Sequence, residues 1–352
     1  MTEVKVTHVT DKTQWEEFNS ANPPTSLLQS WAWGQFQMSL GRPTIYLGIY
    51  EDGKLVGTAL CNLIPTRFRT HVYIGNGPTI DWSKARALIP PIIKSIRESQ
   101  ISRGALFVRM DPLIVDDADN HMLMKSLGFR TAATNVQAED KWLLDITPPE
   151  DELLRNMRKN TRYAIRKAGK ESVVVRHSRD VEDFDRFWDL FQNTVNKQKF
   201  VPHSRSYYRK QIMSFNKHGC EYRIYWAEYQ GKTLAAALIP FCQDFAIYLH
   251  ATSSDEYKNV FPAHALIWQI ILDAKQADLK VFDFWGVAPN DNPNHPWAGF
   301  TFFKTGFGGS RHSVIRAQDL PLSPAYPLVR LLEGTRRTWG KAYFNICAKI
   351  KT

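Results

Sequence analysis

The chain carries one pattern twice. EDGKLVGTAL at residues 51–60 lies over YQGKTLAAAL at 229–238, so that Gly53 falls on Gly231, Lys54 on Lys232, Ala59 on Ala237 and Leu60 on Leu238. KSLGF, ending at Phe129, lies over FKTGF, ending at Phe307. Both matches share the offset that carries Gly53 to Gly231, 178 residues. Two separated matches at one spacing argue for a duplicated structural unit. A chain of 352 residues has the length for two such domains, each with its own core.

Within each copy the order of signals is the same. A helix comes first, then a hairpin that in the first copy turns at Asp52-Gly53, a pair suited to the tight turn of two antiparallel strands. Further strands, a long helix and a buried strand follow, ALFVRMDP in the first copy and KVFDFWGV in the second. A closing helix or loop then leads to Gly-Phe and a last strand. Phe184, Phe187, Trp188, Phe191 and Val195 form the apolar stripe of a core-facing helix over 181–195. PAHALIWQIILDAK, 262–275, opens a second helix with proline, and Pro90-Pro91 is expected to kink or break the helix around 84–99. The fold class these signals predict is α/β, with mixed (α+β) sheets flanked by helices and used twice. The expected domains are 1–146 and 147–317. PLSPAYP, 321–327, reads as a connector, and the C-terminal segment 318–352 as a helix packing back on the first domain.

Composition narrows the function classes. Apolar residues make up 43% and charged ones 23%, the balance of a globular protein with a full core. No apolar run is long enough to span a membrane, and the polar start MTEVKVTHVT does not read as a secretory signal. Cys61, Cys220, Cys242 and Cys347 have neither CxxC nor metal-ligand spacing, so the expectation is structural thiols in a reducing cytoplasm, with no metal site. No GxSxG is present, and His264 and His295 have no spacing that suggests a nucleophilic triad. A net charge of +10 favours a polyanionic partner: nucleic acid, anionic lipid or a phosphate-bearing metabolite.

The strand-hairpin-strand-helix order with Gly-Phe after the last helix resembles the acetyltransferase (GNAT) superfamily. A tandem of two such units, the second ending in FKTGFGG, resembles the FemABX peptidyltransferases, which build peptidoglycan cross-bridges without a ribosome. The resemblance covers essentially the whole chain and rests on LLQSWAWGQ, RNMRKNTRYAIRKA, IYLHATSS, FDFWGV and HPWAGFTFFKTGFGG in that order. It implies an aminoacyl-tRNA donor, a peptidoglycan precursor as acceptor and transfer of an amino acid to the stem-peptide amine. The expected location is the cytoplasm, with peripheral contact at the inner face of the membrane that the net charge of +10 permits, and the expected state is a monomer. No cofactor is expected, since an aminoacyl ester is already activated.

Lys304 is the one charged group in HPWAGFTFFKTGFGG. A lysine ending a strand and reaching to solvent is one reading. The other is a cation held among Phe300, Phe302, Phe303 and Phe307, with Gly299, Gly306, Gly308 and Gly309 permitting close approach of a ligand. Such a cation would stabilise a developing oxyanion or grip a phosphate, and the resemblance implies that it sits at the transfer site. RNMRKNTRYAIRKAGK, 155–170, has seven Lys or Arg residues and no acid. At helical spacing Arg155, Arg158, Lys159, Arg162 and Arg166 would share a face, either merely solvated or, as the resemblance implies, the tRNA footprint.

The resemblance further implies that Trp33 and Gln35 lie at the acceptor end, with Gln35 where a relative can carry lysine. It implies acceptor contacts from His203, Arg205, Tyr207, Tyr248, His250 and Phe303, although such side chains also serve as structural groups at sheet edges. Strand alternation puts Arg109 and Asp111 on one face, as a local ion pair or with Asp111 as general base for the acceptor amine. Other classes stay open. An acyl-CoA-dependent N-acyltransferase would share the fold, though the expected pyrophosphate loop is missing from both copies. A non-catalytic binder of tRNA or a membrane surface would need only the basic helix. Transfer from tRNA to protein N-termini or lipids would share donor and chemistry.

Overall fold

The computed structural model describes residues 4–66, 70–198, 201–289 and 293–334. The chain divides into two units, the first made of residues up to Glu139 and from Ser313 onward, the second of Asp140–His312.

In the first unit β1 (Val4–His8) precedes helices α1 (Lys12–Ala21) and α2 (Trp31–Ser39). The hairpin β2 (Thr44–Glu51) and β3 (Lys54–Ile64) turns on Asp52 and Gly53, both at positive φ (48° and 79°). β4 (His71–Gly75) and β5 (Thr79–Ile80) continue along β3, and α3 (Ala85–Glu98) crosses over to β6 (Phe107–Asp111), parallel to β4. A helical crossover is what parallel neighbours require. α4 (Ala118–Ser126) and β7 (Arg130–Thr131) follow. α3 runs unbroken through Pro90 and Pro91, contrary to the expected break; Leu88, Ile92 and Ile96 on its inner face are fully buried. They pack on Leu47, Val72, Val108 and Met110 of the sheet.

The second unit begins with β8 (Asp140–Asp145), α5 (Glu150–Asn156), α6 (Lys159–Lys170), β9 (Val174–Ser178), α7 (Phe184–Gln198) and α8 (Arg205–Lys217). The hairpin β10 (Glu221–Tyr229) and β11 (Lys232–Cys242) again turns on two positive-φ residues, Gln230 and Gly231. Even the irregularities repeat: the bulge at Ile49/Tyr50 returns at Ala227/Glu228, the same 178 residues on. β12 (Phe245–Ile247) and β13 (His250–Ser253) run along β11, and α9 (Pro262–Gln276) crosses to β14 (Val281–Gly286), parallel to β12. α10 (Ala298–Thr305) and β15 (Ser310–Ser313) complete the unit.

Each sheet takes in a strand from outside its own repeat. The first has the order β1-β2-β3-β4-β6, then the returning strand Gln318–Pro321, then β7. Read from β9, the second has β9-β10-β11-β12-β14-β8-β15. β8 follows the first repeat in sequence but fills the second sheet, and Gln318–Pro321 follows the second repeat but fills the first. The cut therefore falls at 139/140, ahead of β8, not at the expected 146. The described turns of the C-terminal helix, 326–334, belong to the first unit, where Tyr326 packs edge-on against Phe107 at 5.4 Å; the rest of the expected helix, 335–352, lies outside the described residues.

The thiol expectation is corrected at one pair. Cys220 and Cys242 form a disulfide (S–S 2.01 Å), while Cys61 is free and buried. Their neighbours Glu221 and Phe241 are partners across β10 and β11, which leaves the cysteine Cα atoms 4.6 Å apart, within bonding range. Cys347 lies outside the described residues. Among the described residues no helix is long and apolar enough to cross a membrane.

Candidate active site

Lys304 stands in the last turn of helix α10, not at a strand end. Its ammonium donates to the carbonyl of Gly286 at 2.7 Å. Burial pushes its pKa down to about 8, partly offset by the negative charge of Asp283. A poorly solvated cation interacts more strongly with an incoming negative charge than one in water. Of the four phenylalanines expected to wall it, only Phe303 and Phe307 pack in the core; Phe300 and Phe302 are 50% and 61% exposed. His264 lies against Phe303 and Phe307 at 5.0 and 5.8 Å, and burial depresses its pKa to about 4, so the ring is neutral.

The glycines around Lys304 serve the chain's own packing. A Cβ at Gly309 would stand 2.3 Å from the carbonyl oxygen of Leu143, and one at Gly306 2.5 Å from Thr161 Oγ1. Gly308 and Gly309 also have φ near +90°. Gly299 faces open space. Close approach at 306 and 309 is thus made by backbone and side chain of the same unit.

Gly286 reaches Lys304 because β14 is irregular. Its pairing with β8 runs regularly to Asp283↔Leu143 and resumes, after a bulge, at Gly286↔Lys141. Within the bulge Trp285 has φ +63°, rare for a bulky residue. Its N–H donates to Asp283 Oδ1 at 2.6 Å, and Lys141 Nζ lies 4.8 Å from its ring centroid. Asp283 is buried, which raises its pKa, while Lys141, the Trp285 N–H, Lys304 and His312 act the other way. Asp283 is also the last residue of β14 paired to the parallel strand, at Ile247↔Asp283. The Tyr248 N–H still donates to the Asp283 carbonyl at 2.8 Å, and beyond it β13 pairs with β11 and no longer with β14, which opens the sheet at this point.

The segments 203–207 and 248–250 supply aromatic side chains in the same unit. His203 stacks on Tyr207 at 3.9 Å, and Tyr208 meets His250 edge-on at 5.0 Å. Burial holds the His250 pKa down at about 3, and its Nε2 is buried without a hydrogen-bond partner. The Tyr248 hydroxyl is pushed upward by burial. Arg205 pairs with Asp185 at the surface, where both side chains are about half exposed.

The basic run is not one helix. α5 ends at Asn156, Met157 is extended (ψ 155°), and α6 starts at Lys159. Arg158 and Arg162 turn inward. Arg158 donates to the Phe302 carbonyl at 2.9 Å and to Thr305, with its guanidinium 4.3 Å from the Phe302 ring centroid. Arg162 donates to the carbonyls of Arg155 and Met157. Arg155 pairs with Asp151. Lys159, Arg166 and Lys170 remain exposed on α6, beside Tyr163, which is 58% exposed. The basic face is therefore shorter than the spacing predicts, because the loop at Met157 breaks the helical phase.

In the first unit, α2 packs through Trp31, stacked on Tyr46 at 4.1 Å, and Trp33 lies against Phe36. Gln35 donates to the Tyr46 hydroxyl at 3.3 Å. Asp111 accepts from the Tyr73 hydroxyl at 2.8 Å and the Asn76 N–H at 3.0 Å, which ties down the end of the strand. Arg109 is not its ion-pair partner; the guanidinium bonds Asp319 at 2.7 and 2.8 Å and Glu333 at 2.8 Å. Gly75↔Asp111 closes the parallel ladder of the first sheet as Ile247↔Asp283 closes that of the second. The equivalent place thus carries an aspartate in both copies. Sequence reasoning singled out Asp111 and missed Asp283 and Lys141. Asp283 had a signal, as the one charge between two phenylalanines of a buried strand; Lys141 had none.

The model of the FemAB family matches residues 10–123, and that of the acetyltransferase (GNAT) domain matches 155–296. The lipid II:glycine glycyltransferase of Staphylococcus aureus (strain MRSA252) is 22% identical over a 420-position alignment covering 98% of this chain and 99% of that protein. The crystal structure of FemX superposes with a TM-score of 0.82 at 20% identity, over 94% of this chain and 100% of that one. A tandem GNAT protein of clavulanic acid biosynthesis superposes at 0.56 with 12% identity, over 92% and 99%.

Proposed function

The chain belongs to the FemAB family, and from that premise we propose that it is a non-ribosomal aminoacyltransferase of peptidoglycan cross-bridge synthesis. Its donor is an aminoacyl-tRNA, and its acceptor is the stem-peptide amine of a muramyl-pentapeptide precursor. The observation that supports this most is the half-buried Lys304 ammonium beside the opening of the second sheet.

The amine attacks the ester carbonyl, the carbon–nitrogen bond forms, and the ester oxygen of the terminal ribose leaves. The amine gives up a proton and the departing oxygen takes one up, so the reaction is proton-neutral. Negative charge gathers on the carbonyl oxygen in between. An ammonium already held in place stabilises it without reorganisation, a contribution of about 2.7–4 kcal/mol for one such donor. The exposed cations of α6 serve the RNA backbone, which carries no base information. His203, Tyr207, Tyr248 and His250 supply a partly buried aromatic surface suited to the acceptor.

The test is a transfer assay. Charged tRNA pools are incubated with the nucleotide-linked and the lipid-linked pentapeptide, and the products are weighed by mass spectrometry. The expected product gains one amino-acid residue. Lys304→Met, which fills the volume of the stem, should lower the rate roughly 100- to 1000-fold while the protein still folds. Wild-type turnover by that variant would remove Lys304 from the reaction, and the absence of any product with the full tRNA pool would overturn the reading.

A further inference from the structure

Lys304 does not hold its place alone. Asp283 carries the Trp285 N–H at 2.6 Å, Trp285 sits at φ +63°, and Gly286 next to it accepts from Lys304 at 2.7 Å. A tryptophan enters the left-handed region only when its surroundings impose it. Here the carboxylate imposes it from below and Lys141 covers the ring. The bulge that results turns the Gly286 carbonyl toward α10.

We propose that Asp283 is a positioning residue for the transfer, acting on Lys304 through the Trp285–Gly286 bulge and through its own charge. The inference rests on the reading of the reaction given above. It assigns Asp283 no contact with substrate. The first route is geometric: without a carboxyl oxygen at 283, Trp285 relaxes toward extended backbone and Gly286 no longer presents its carbonyl to the ammonium. The second route is electrostatic. Asp283 is the negative charge that offsets the burial of Lys304, and its loss would release the ammonium's proton at lower pH. The charged and titratable groups around the carboxylate are Lys304 on α10, Lys141 on β8 and His312 on β15. Asp140, beside Lys141, is engaged by Arg311 at 3.5 Å.

Two variants separate the routes. Asp283→Asn keeps an oxygen for the Trp285 N–H and removes the charge. Asp283→Glu keeps the charge and moves the oxygen. The first readout is independent of the reaction: acetic anhydride labelling of Lys304 across pH, followed by mass spectrometry of its peptide. In Asp283→Asn the labelling midpoint should move to lower pH by at least half a unit, about a threefold change in the ammonium's acidity. Turnover at pH 8 should fall at least about twofold with unchanged KM and recover as the pH is lowered, because Lys304 titrates near 8 and the shift roughly halves its protonated fraction there. In Asp283→Glu the midpoint should stay while kcat falls.

An unmoved midpoint in Asp283→Asn, or a loss of turnover that lower pH does not restore, overturns the proposal. Should Asp283→Asn fail to fold, Asp283→Glu decides: wild-type kcat there overturns it, and a lowered kcat with a steady midpoint supports it. If the wild-type protein transfers nothing while the midpoint moves as expected, the coupling of Asp283 to Lys304 stands and the reading of the reaction falls.

Discussion

Arg109 and Asp319 are paired in register and bonded through their side chains at 2.7 and 2.8 Å, 210 residues apart in sequence. The pair fastens the returning strand into the first sheet, with the whole sequence of the second unit lying between the two residues. Glu333 joins from the C-terminal helix at 2.8 Å, and all three residues are buried.

Arg109→Met should therefore strip the cation from two buried carboxylates. Breaking a buried pair in this way costs about 3–5 kcal/mol. Chemical denaturation should show that loss, and replacing Asp319 and Glu333 as well by apolar residues should restore most of it, since the lone charges are what destabilise. A single variant as stable as wild type would contradict the structure.

The inward turn of Arg158 and Arg162 predicts which cations meet RNA. Charge reversal at Lys159, Arg166 or Lys170 should weaken aminoacyl-tRNA binding and lower the slope of log K against log salt by roughly one for each phosphate no longer neutralised. Arg158→Ala should instead loosen α10 through Phe302 and Thr305, lowering turnover with little change in the salt slope. Binding titrations at several salt concentrations distinguish the two.

Two glycines near Lys304 should respond in opposite directions. Gly309→Ala places a methyl 2.3 Å from the Leu143 carbonyl oxygen at φ +92° and should destabilise by more than about 1 kcal/mol. Gly299→Ala, inside α10 with open space around it, should stabilise by roughly 0.5–1 kcal/mol. Thermal unfolding measures both. If Gly299→Ala folds well but transfers poorly, close ligand approach is required at that position.

His264 predicts a pH dependence. Its folded pKa of about 4 lies below the ordinary 6.5, so between those values the unfolded chain binds the additional proton. Stability from this group is complete above about 6.5 and declines as the pH falls toward 4, by at most about 1.4 kcal/mol per pH unit. His264→Phe keeps an aromatic ring against Phe303 and Phe307. The variant should lose less stability than wild type between pH 7 and 4 in urea titrations.

What the residues alone determined was local or periodic. The duplication, the hairpin at Asp52-Gly53, the apolar stripe of α7 and the isolation of Lys304 among aromatic and glycine residues all follow from spacing within a few residues or from one repeated offset. The position of Asp111 was legible for the same reason, because alternation along one strand fixes a face. Tertiary structure decided what depends on partners far away in the chain. The exchange of β8 and Gln318–Pro321 between repeats, the Cys220–Cys242 bond, the partners of Arg109 and the bulge that joins Asp283 to Lys304 each arise from strand pairing. Strand registers are set by long-range packing, and a one-residue bulge reorients every group beyond it. The hydrophobic period of a segment tells which face is buried, but the residue that will stand opposite is chosen only when the sheet closes.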